Sequence, residues 1–382
     1  MNILARIVTK LWPPVGETTQ STGLSAPLPA LDGLRFAAIL AIFLSALPAI
    51  GLSPVDAILD RLSIGHELFL VVYAYSLTRL LIFEQRRTGQ LVLRNYLMRR
   101  LLSLVPVSFI LIAGLLIWGF ATDGVSVLPD AIGIATYTQN LHTSIVGPTD
   151  FSPLIHADFL SALLQYALVL PVLATIAVGS SRVFAFVAFA WLLLSLAFSL
   201  ILVLENWPAV QVVALSPFRP EAILVGMAIA VFESHFWKFR RKRLIGVLAI
   251  VLALAGISIF EIEGPAGWQD IVRLAASAVL SGLFLTLALM WQPVTRLLAL
   301  TPIVWIGRMF LTLYILHWPC ILIVAQLAER LGFSGWQAWM FTSVFSALAS
   351  IIVAAGIWYL IERRIHKLRR HYEFIEGRSL HL

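Results

Sequence analysis

The sequence predicts an all-α membrane protein with about ten transmembrane helices and both termini in the cytoplasm, on the basis of three observations. Hydrophobic residues make up 60% of the 382 residues and charged residues only 12%, so a soluble fold would expose too much apolar surface. The apolar residues are gathered in runs of about twenty, the length that a helix needs to cross a bilayer. The loops between these runs carry Lys and Arg on alternate sides.

Ten apolar runs meet the length criterion, and each run ends at a charged stretch or at one that contains Pro or Gly. The predicted spans are 34–52, 64–83, 101–121, 157–178, 183–204, 218–234, 243–262, 272–292, 303–326 and 338–361. The segment 122–156 is too polar to cross the bilayer, and we expect a loop there with a partly membrane-embedded element.

The segments outside the spans are short, so no separate soluble domain is predicted. Residues 1–30 form a cytoplasmic N-terminal segment without the features of a signal peptide. Residues 31–364 form the transmembrane domain, and 365–382 form a basic cytoplasmic tail.

The distribution of basic residues sets the orientation, since cytoplasmic loops carry the excess of Lys and Arg. The predicted outer loops hold only Arg61, Arg219 and Arg330. The predicted inner segments hold Arg6, Lys10, Arg86, Arg87, Arg94, Arg99, Arg100, Arg182, Lys238, Arg240, Arg241, Lys242, Arg243, Arg296, Arg363, Arg364, Lys367, Arg369, Arg370 and Arg378. The net charge of +7 therefore follows from topology, and we expect membrane lipids rather than nucleic acid as partners.

Charged and polar side chains are costly within a bilayer, so those in or beside the spans are candidates for function. Four sets stand out: Asp32 with Arg35, His66 with Glu67, Arg94 with Arg99 and Arg100, and Arg308 with Tyr314 and His317. The first and third sets lie at the inner face, the second at the outer end of span two, and the fourth in span nine. The histidines show no metal-ligand spacing, and we expect no metal.

Six motifs occur in a fixed order along the chain. They are LDGLR at 31–35, ELFLVVYAYSLTR at 67–79, NYLMRRLLSLVP at 95–106, SPFRPEAILVGMAIA at 216–230, LTLYILHWP at 311–319 and YLIERR at 359–364. In these motifs the sequence resembles the acyltransferase-3 family of integral membrane acyltransferases. The resemblance implies a ten-span bundle in the bacterial inner membrane. It also implies O-acyl transfer, usually of acetyl, from cytoplasmic acyl-CoA to a carbohydrate or lipid-linked glycan of the cell envelope.

An acyl-CoA donor needs cations at the inner face for its phosphates. Guanidinium groups are always charged and pair bidentately with phosphate oxygens, so Arg35, Arg99 and Arg100 are the predicted donor-binding residues. The alternative is that Arg94, Arg99 and Arg100 only follow the positive-inside rule and contact anionic lipid headgroups.

The sequence departs from the family pattern at residues that carry chemistry. The pattern has a His eleven residues after the Arg of the first motif, where this chain has Ala46. The other replacements are Tyr73 and Ala74 for an SG pair, Leu163 and Leu164 for paired acids, and Ser103 for the third Arg of an RRxxR element. The chain has therefore lost the expected base and carboxylates.

One account keeps catalysis with another base. His317 is the first candidate, because helical rise places it at a depth comparable to that of Ala46, and Tyr314 lies one turn below to orient it. His66, held by Glu67, is the second candidate. The alternatives are a structural interhelical hydrogen bond for His317 and an ordinary polar pair at the outer rim for His66 and Glu67.

The other account is a catalytically inactive relative that binds or carries a lipid-linked glycan or partners an active acyltransferase. An ion-coupled transporter is less favoured, since Glu67, Asp158 and Glu221 all lie near outer ends of spans rather than at mid-span. The catalytic account requires an open passage from Arg35 to His317.

Overall fold

The computed structural model describes residues 28–47, 61–121, 127–147, 157–215, 219–233 and 268–372. These ranges fold into helices and contain no strand. The helices are α1 Pro29–Ala46, α2 Gly65–Thr88, α3 Leu93–Ala121, α4 Leu128–Thr136, α5 Gln139–Val146, α6 Ala157–Gly179, α7 Ser181–Leu204, α8 Ala209–Ala214, α9 Glu221–Val231, α10 Trp268–Met290, α11 Gln292–Leu298, α12 Thr301–Arg308, α13 Phe310–Arg330, α14 Gly335–Ile357 and α15 Arg363–Arg369. A π-helical turn, Trp358–Glu362, joins α14 to α15, and a 3-10 turn, Arg370–Tyr372, follows α15.

Eight helical segments within the described ranges are long and apolar enough to cross a membrane. They correspond to predicted spans one to five and eight to ten, so the predicted all-α polytopic membrane protein is confirmed. Helix α9, with 11 residues, is shorter than the predicted sixth span. The predicted seventh span, 243–262, and the segment 1–27 lie outside the described residues. A total of ten spans therefore stays a prediction.

Two predicted segments differ from the structure. Predicted span nine, 303–326, is divided into α12 and α13, because the backbone leaves the helical conformation at Met309 (φ −90, ψ 16). The polar segment 122–156 contains the short helices α4 and α5, which pack against α3 and α6. Helix α3 also begins before the predicted start of span three, so Arg99 and Arg100 are helical residues.

Helix α2 is the centre of the bundle and packs against α1, α6, α9 and α10. Gly226 on α9 makes one of these contacts so close that a Cβ there would collide with the carbonyl oxygen of Val71. In the apolar window of α2, 61% of the residues are buried, against 17% in α7 and in α14. Helices α7 and α14 therefore present apolar side chains outward, as lipid-facing helices do.

Candidate functional site

Two histidines from distant parts of the sequence meet around one tyrosine. The ring of Tyr314 on α13 lies with its centroid 5.7 Å from the ring of His66 on α2 and 5.7 Å from that of His317 on α13. Tyr314 and His317 are buried at 1% exposure, and His66 is half-buried. The sequence analysis gave His66 and His317 as separate candidates, and the structure places them in one cluster, the imidazole cluster of His66, Tyr314 and His317.

The hydrogen bonds of the two imidazoles define which nitrogen is available to accept a proton. Nδ1 of His317 lies 2.6 Å from the Tyr314 carbonyl oxygen, and Nδ1 of His66 lies 3.2 Å from the Ser63 carbonyl oxygen. Because a carbonyl oxygen only accepts, Nδ1 carries the proton in each ring. In a neutral imidazole Nε2 is then the basic nitrogen, which suits a general base.

Aromatic rings pack beside the imidazole cluster and continue along α2 from Phe69 to Tyr73. The rings of Phe69 on α2 and Phe310 on α13 stack with centroids 3.7 Å apart and an interplanar angle of 7°. Phe159 on α6 packs against Tyr314 at 4.7 Å, and Tyr73 stacks on Phe69 at 5.9 Å. We call Phe69, Tyr73, Phe159 and Phe310 the aromatic column. Phe69, Tyr73 and Phe310 lie on α2 and α13 on the side of the imidazole cluster that leads to the inner ends of these helices.

Tyr73 connects the aromatic column to the arginines at the inner end. Its hydroxyl donates to the Leu163 carbonyl oxygen at 3.2 Å, and it also interacts with the Arg100 side chain and with the charge of Arg35. His66 and Tyr73 are seven residues apart on one helix, so about 10 Å of helical rise separates them along α2.

Arg35 belongs to an ion-pair group at the start of α1. Asp32 accepts from Arg35 Nη1 at 2.6 Å and from Arg308 Nε at 3.2 Å. Gly33 and Gly307 allow the backbones of α11 and α12 to touch α1 at this point, where a Cβ on either glycine would collide with a carbonyl oxygen. The LDGLR motif therefore fixes the inner end of α1 and holds the guanidinium of Arg35.

Arg99 has a different environment from Arg100. Arg99 is 2% exposed, and it donates to Glu84 Oε2 at 2.7 Å and to the Tyr372 carbonyl oxygen at 2.6 Å. Arg100 is half-buried and lies over the ring of Tyr96, 5.8 Å from its centroid. Nε of Arg99 and Nε of Arg100 are both buried without a hydrogen-bond partner among the described residues. The buried ion pair gives Arg99 a structural role, and Arg100 is the more available cation.

Glu67 faces a set of charged residues that the sequence analysis did not assign to the site. It interacts electrostatically with Arg219 and Glu221, which form a buried ion pair at 3.3 Å. Tyr314 interacts with the charges of Glu67 and Asp158. The signal for these residues was present in the sequence, because an Arg and acids at the outer ends of spans are costly unless they pair.

The comparisons with known proteins identify the family. An acyltransferase-domain family model, that of the acyltransferase-3 type, matches residues 28–359. The chain belongs to the acyltransferase-3 family. No curated protein sequence and no solved structure matches the chain significantly.

Ala46 occupies the position at which the acyltransferase-3 family pattern has a His. Ala46 packs against a small cluster that contains Ile321, one turn beyond His317 on α13. Ile321 is four residues from His317, which corresponds to about 6 Å of rise along α13, so Ala46 packs against a cluster that reaches α13 one turn from His317.

Polar side chains connect α3, α5 and α6 next to Leu163 and Leu164. Gln165 exchanges hydrogen bonds with Asn140 on α5, at 2.8 Å and 3.2 Å, and donates to the Tyr137 carbonyl oxygen at 3.1 Å. Burial raises the pKa of Tyr137, whose hydroxyl accepts from Ser108 at 2.9 Å. These contacts anchor α4 and α5 over the outer ends of α3 and α6.

A metal site was not expected from the sequence. Within the ranges that the structure describes, no three His, Cys, Asp or Glu side chains are grouped so that they can hold a metal ion.

Proposed function

We propose that this membrane acyltransferase transfers an acyl group, usually acetyl, from cytoplasmic acyl-CoA to a hydroxyl of a cell-envelope carbohydrate or lipid-linked glycan at the bacterial inner membrane. The observation that carries the proposal is the imidazole cluster, in which two rings with Nδ1 held by carbonyl oxygens meet at Tyr314. Either ring has Nε2 as its basic nitrogen.

The inner end of α2 supports the donor part of the proposal. Arg35 and Arg100 both lie near Tyr73, and guanidinium groups bind phosphate oxygens strongly. The Nε atoms of Arg99 and Arg100 are buried donors that no described residue satisfies. Arg99 contributes charge and fixes the local structure through Glu84.

The chemistry assigned to the imidazole cluster is general base catalysis followed by proton return. His317 Nε2 takes the proton of the acceptor hydroxyl as the hydroxyl oxygen bonds to the thioester carbonyl carbon. The carbon–sulfur bond then breaks, and the imidazolium returns the proton to the departing thiolate. Tyr314 positions His317, and His66 with Glu67 forms the outer side of the same cluster.

The aromatic column sets a condition on this reaction. The stacked rings of Phe69 and Phe310 lie between the arginine end and the imidazole cluster, so in this proposal a thioester must pass them to reach His317. This stacking, together with Ala46, supports the second candidate function. In that case the protein is a non-catalytic relative that binds or carries a glycan or partners an active acyltransferase.

Purified protein in lipid nanodiscs, incubated with radiolabelled acetyl-CoA and a mixture of lipid-linked glycans, distinguishes the two candidates. Transfer of label to a glycan, with loss of transfer in His317→Ala and in His66→Ala, supports acyl transfer. Glycan binding without transfer by the wild-type protein supports the inactive relative. His142→Ala, which changes a half-buried histidine of α5 outside the cluster, is the matched control and is expected to transfer normally.

A further inference from the structure

The C-terminal helix carries an arginine to the position on α3 where the family pattern has one. Ser103 stands in place of the third Arg of the RRxxR element in this chain. In the structure, Arg369 Nη1 on α15 donates to Ser103 Oγ at 3.3 Å. Ser103 lies one turn from Arg99 on the same face, since its hydroxyl donates to the Arg99 carbonyl oxygen at 2.9 Å.

Contacts on both sides of Arg369 hold the tail, one to α3 and one to α13. The Tyr372 carbonyl oxygen accepts from Arg99 Nη1 at 2.6 Å. Glu362, in the π-helical turn before α15, accepts a hydrogen bond from Thr312 on α13. The segment from Gly335 to Arg369 is helical throughout, so the predicted tail boundary at 365 falls within a continuous helix. These contacts fix where the guanidinium of Arg369 lies.

Positive charge is concentrated where the tail meets α3. Arg99, Arg100 and Arg369 lie on or against two successive turns of α3, and Glu84 pairs with Arg99 at 2.7 Å. Among the described residues, Arg100 has no carboxylate partner within 4.0 Å. Adjacent guanidinium groups repel one another unless an anion lies between them. A phosphate group is the anion that arginine clusters bind best.

We propose that Arg369, supplied by the C-terminal helix, replaces the missing third arginine of α3 and binds a phosphate group of the CoA donor together with Arg100. This inference rests on the proposed function for the nature of the ligand. It assigns part of the donor site to the cytoplasmic tail. Arg369 is a binding residue in this account and takes no part in the acyl transfer step.

The test is an arginine exchange between α15 and α3, read out as binding of CoA itself to the full-length protein in nanodiscs. Arg369→Ala is expected to weaken CoA binding about tenfold or more, as loss of a charged hydrogen bond does. The double variant Arg369→Ala with Ser103→Arg returns a guanidinium to α3 and is expected to recover most of the affinity. Arg364→Ala removes an exposed arginine of the same helix and is the matched control, with CoA affinity unchanged.

A lipid phosphate is the other source of the same chemistry, so the titrations are done in nanodiscs of phosphatidylcholine alone and of phosphatidylcholine with phosphatidylglycerol. The loss in Arg369→Ala and its recovery in the double variant are expected in phosphatidylcholine alone, where no anionic headgroup is present. An effect of Arg369→Ala seen only with phosphatidylglycerol overturns the proposal in favour of lipid binding.

The remaining outcomes are also decisive. Normal CoA affinity in Arg369→Ala overturns the role of Arg369 and leaves the proposed acyl transfer intact. A double variant that folds, as its thermal unfolding shows, but does not recover CoA binding overturns the replacement of the α3 arginine. Absence of CoA binding by the wild-type protein overturns the donor part of the proposed function, and this inference with it.

Discussion

The two ends of helix α2 have opposite chemical character. At the outer end, His66 meets Tyr314 and His317 in an aromatic environment, with each imidazole Nδ1 held by a carbonyl oxygen. At the inner end, fixed charges dominate, and Glu84 pairs with Arg99 in a buried ion pair. An imidazole exchanges a proton near neutral pH, whereas a guanidinium does not. We therefore propose proton transfer at the outer end and anion binding at the inner end.

The largest expected effect is on the outer end. His317→Ala removes the proposed base, and the rate of acetyl transfer is expected to fall by about 100- to 10,000-fold. A single-turnover assay with labelled acetyl-CoA measures it, and His142→Ala serves as the control. A rate within about threefold of wild type assigns His317 to a structural hydrogen bond instead.

Substitutions at the inner end of α2 are expected to change the free energy of unfolding more than the rate of acetyl transfer. Glu84→Gln leaves the Arg99 charge buried without its carboxylate, which is expected to lower the free energy of unfolding by about 3–5 kcal/mol. Chemical denaturation followed by intrinsic fluorescence measures the change. Asp270→Asn, which breaks the half-exposed pair with Arg273, is the control and is expected to cost under about 1 kcal/mol. Equal losses in the two variants contradict a structural role for the buried pair.

The aromatic column between the two ends can be opened at Tyr73. Tyr73→Ser removes a ring and restores the residue type of the family pattern, so acetyl transfer is expected to rise a few-fold if the column limits donor entry. The cavity is expected to cost roughly 3–5 kcal/mol of stability. Tyr73→Phe keeps the ring, loses the hydrogen bond to Leu163, and is expected to cost about 1 kcal/mol without faster transfer. A limiting role of the ring is contradicted if Tyr73→Phe transfers acetyl faster than wild type, or if Tyr73→Ser does not.

The smallest expected effect concerns the ion-pair group of the first motif. Arg308 is 43% exposed, and its removal is expected to change the free energy of unfolding by less than about 1 kcal/mol. Asp32→Asn also releases Arg35 and is expected to have the larger effect on CoA affinity. A thermal-shift series on both variants, with CoA titrated in, compares them. If Arg308→Ala loses more CoA affinity than Asp32→Asn, the donor site lies closer to α12 than proposed.

The sequence predicts most of the fold because length and hydropathy determine which segments cross a bilayer. Helical rise also predicts that His317 and Ala46 lie at similar depth, and the packing of Ala46 near Ile321 agrees with this. Rise along a helix does not determine which faces of two helices meet. The contact of His66 with Tyr314 and the pairing of Arg99 with Glu84 therefore required the structure.

The division of predicted span nine is a second feature that depends on contacts between distant residues. Arg308 is the charged residue next to Met309, but a single charge within an apolar run did not indicate a break between α12 and α13. The break lies two residues after Gly307, whose backbone closely approaches that of Asp32, a residue far away in sequence. Aromatic residues in spans two, four and nine were visible in the sequence, but their stacking into one column was not.

A double-mutant cycle on His66 and His317 tests the central claim that these two imidazoles form one site. Acetyl transfer is measured for His66→Ala, His317→Ala and the double variant under single-turnover conditions. If the imidazoles act as a unit, the double variant is no less active than the single variant with the lower activity. Independent losses that multiply in the double variant, or transfer that none of the three variants reduces, contradict the claim.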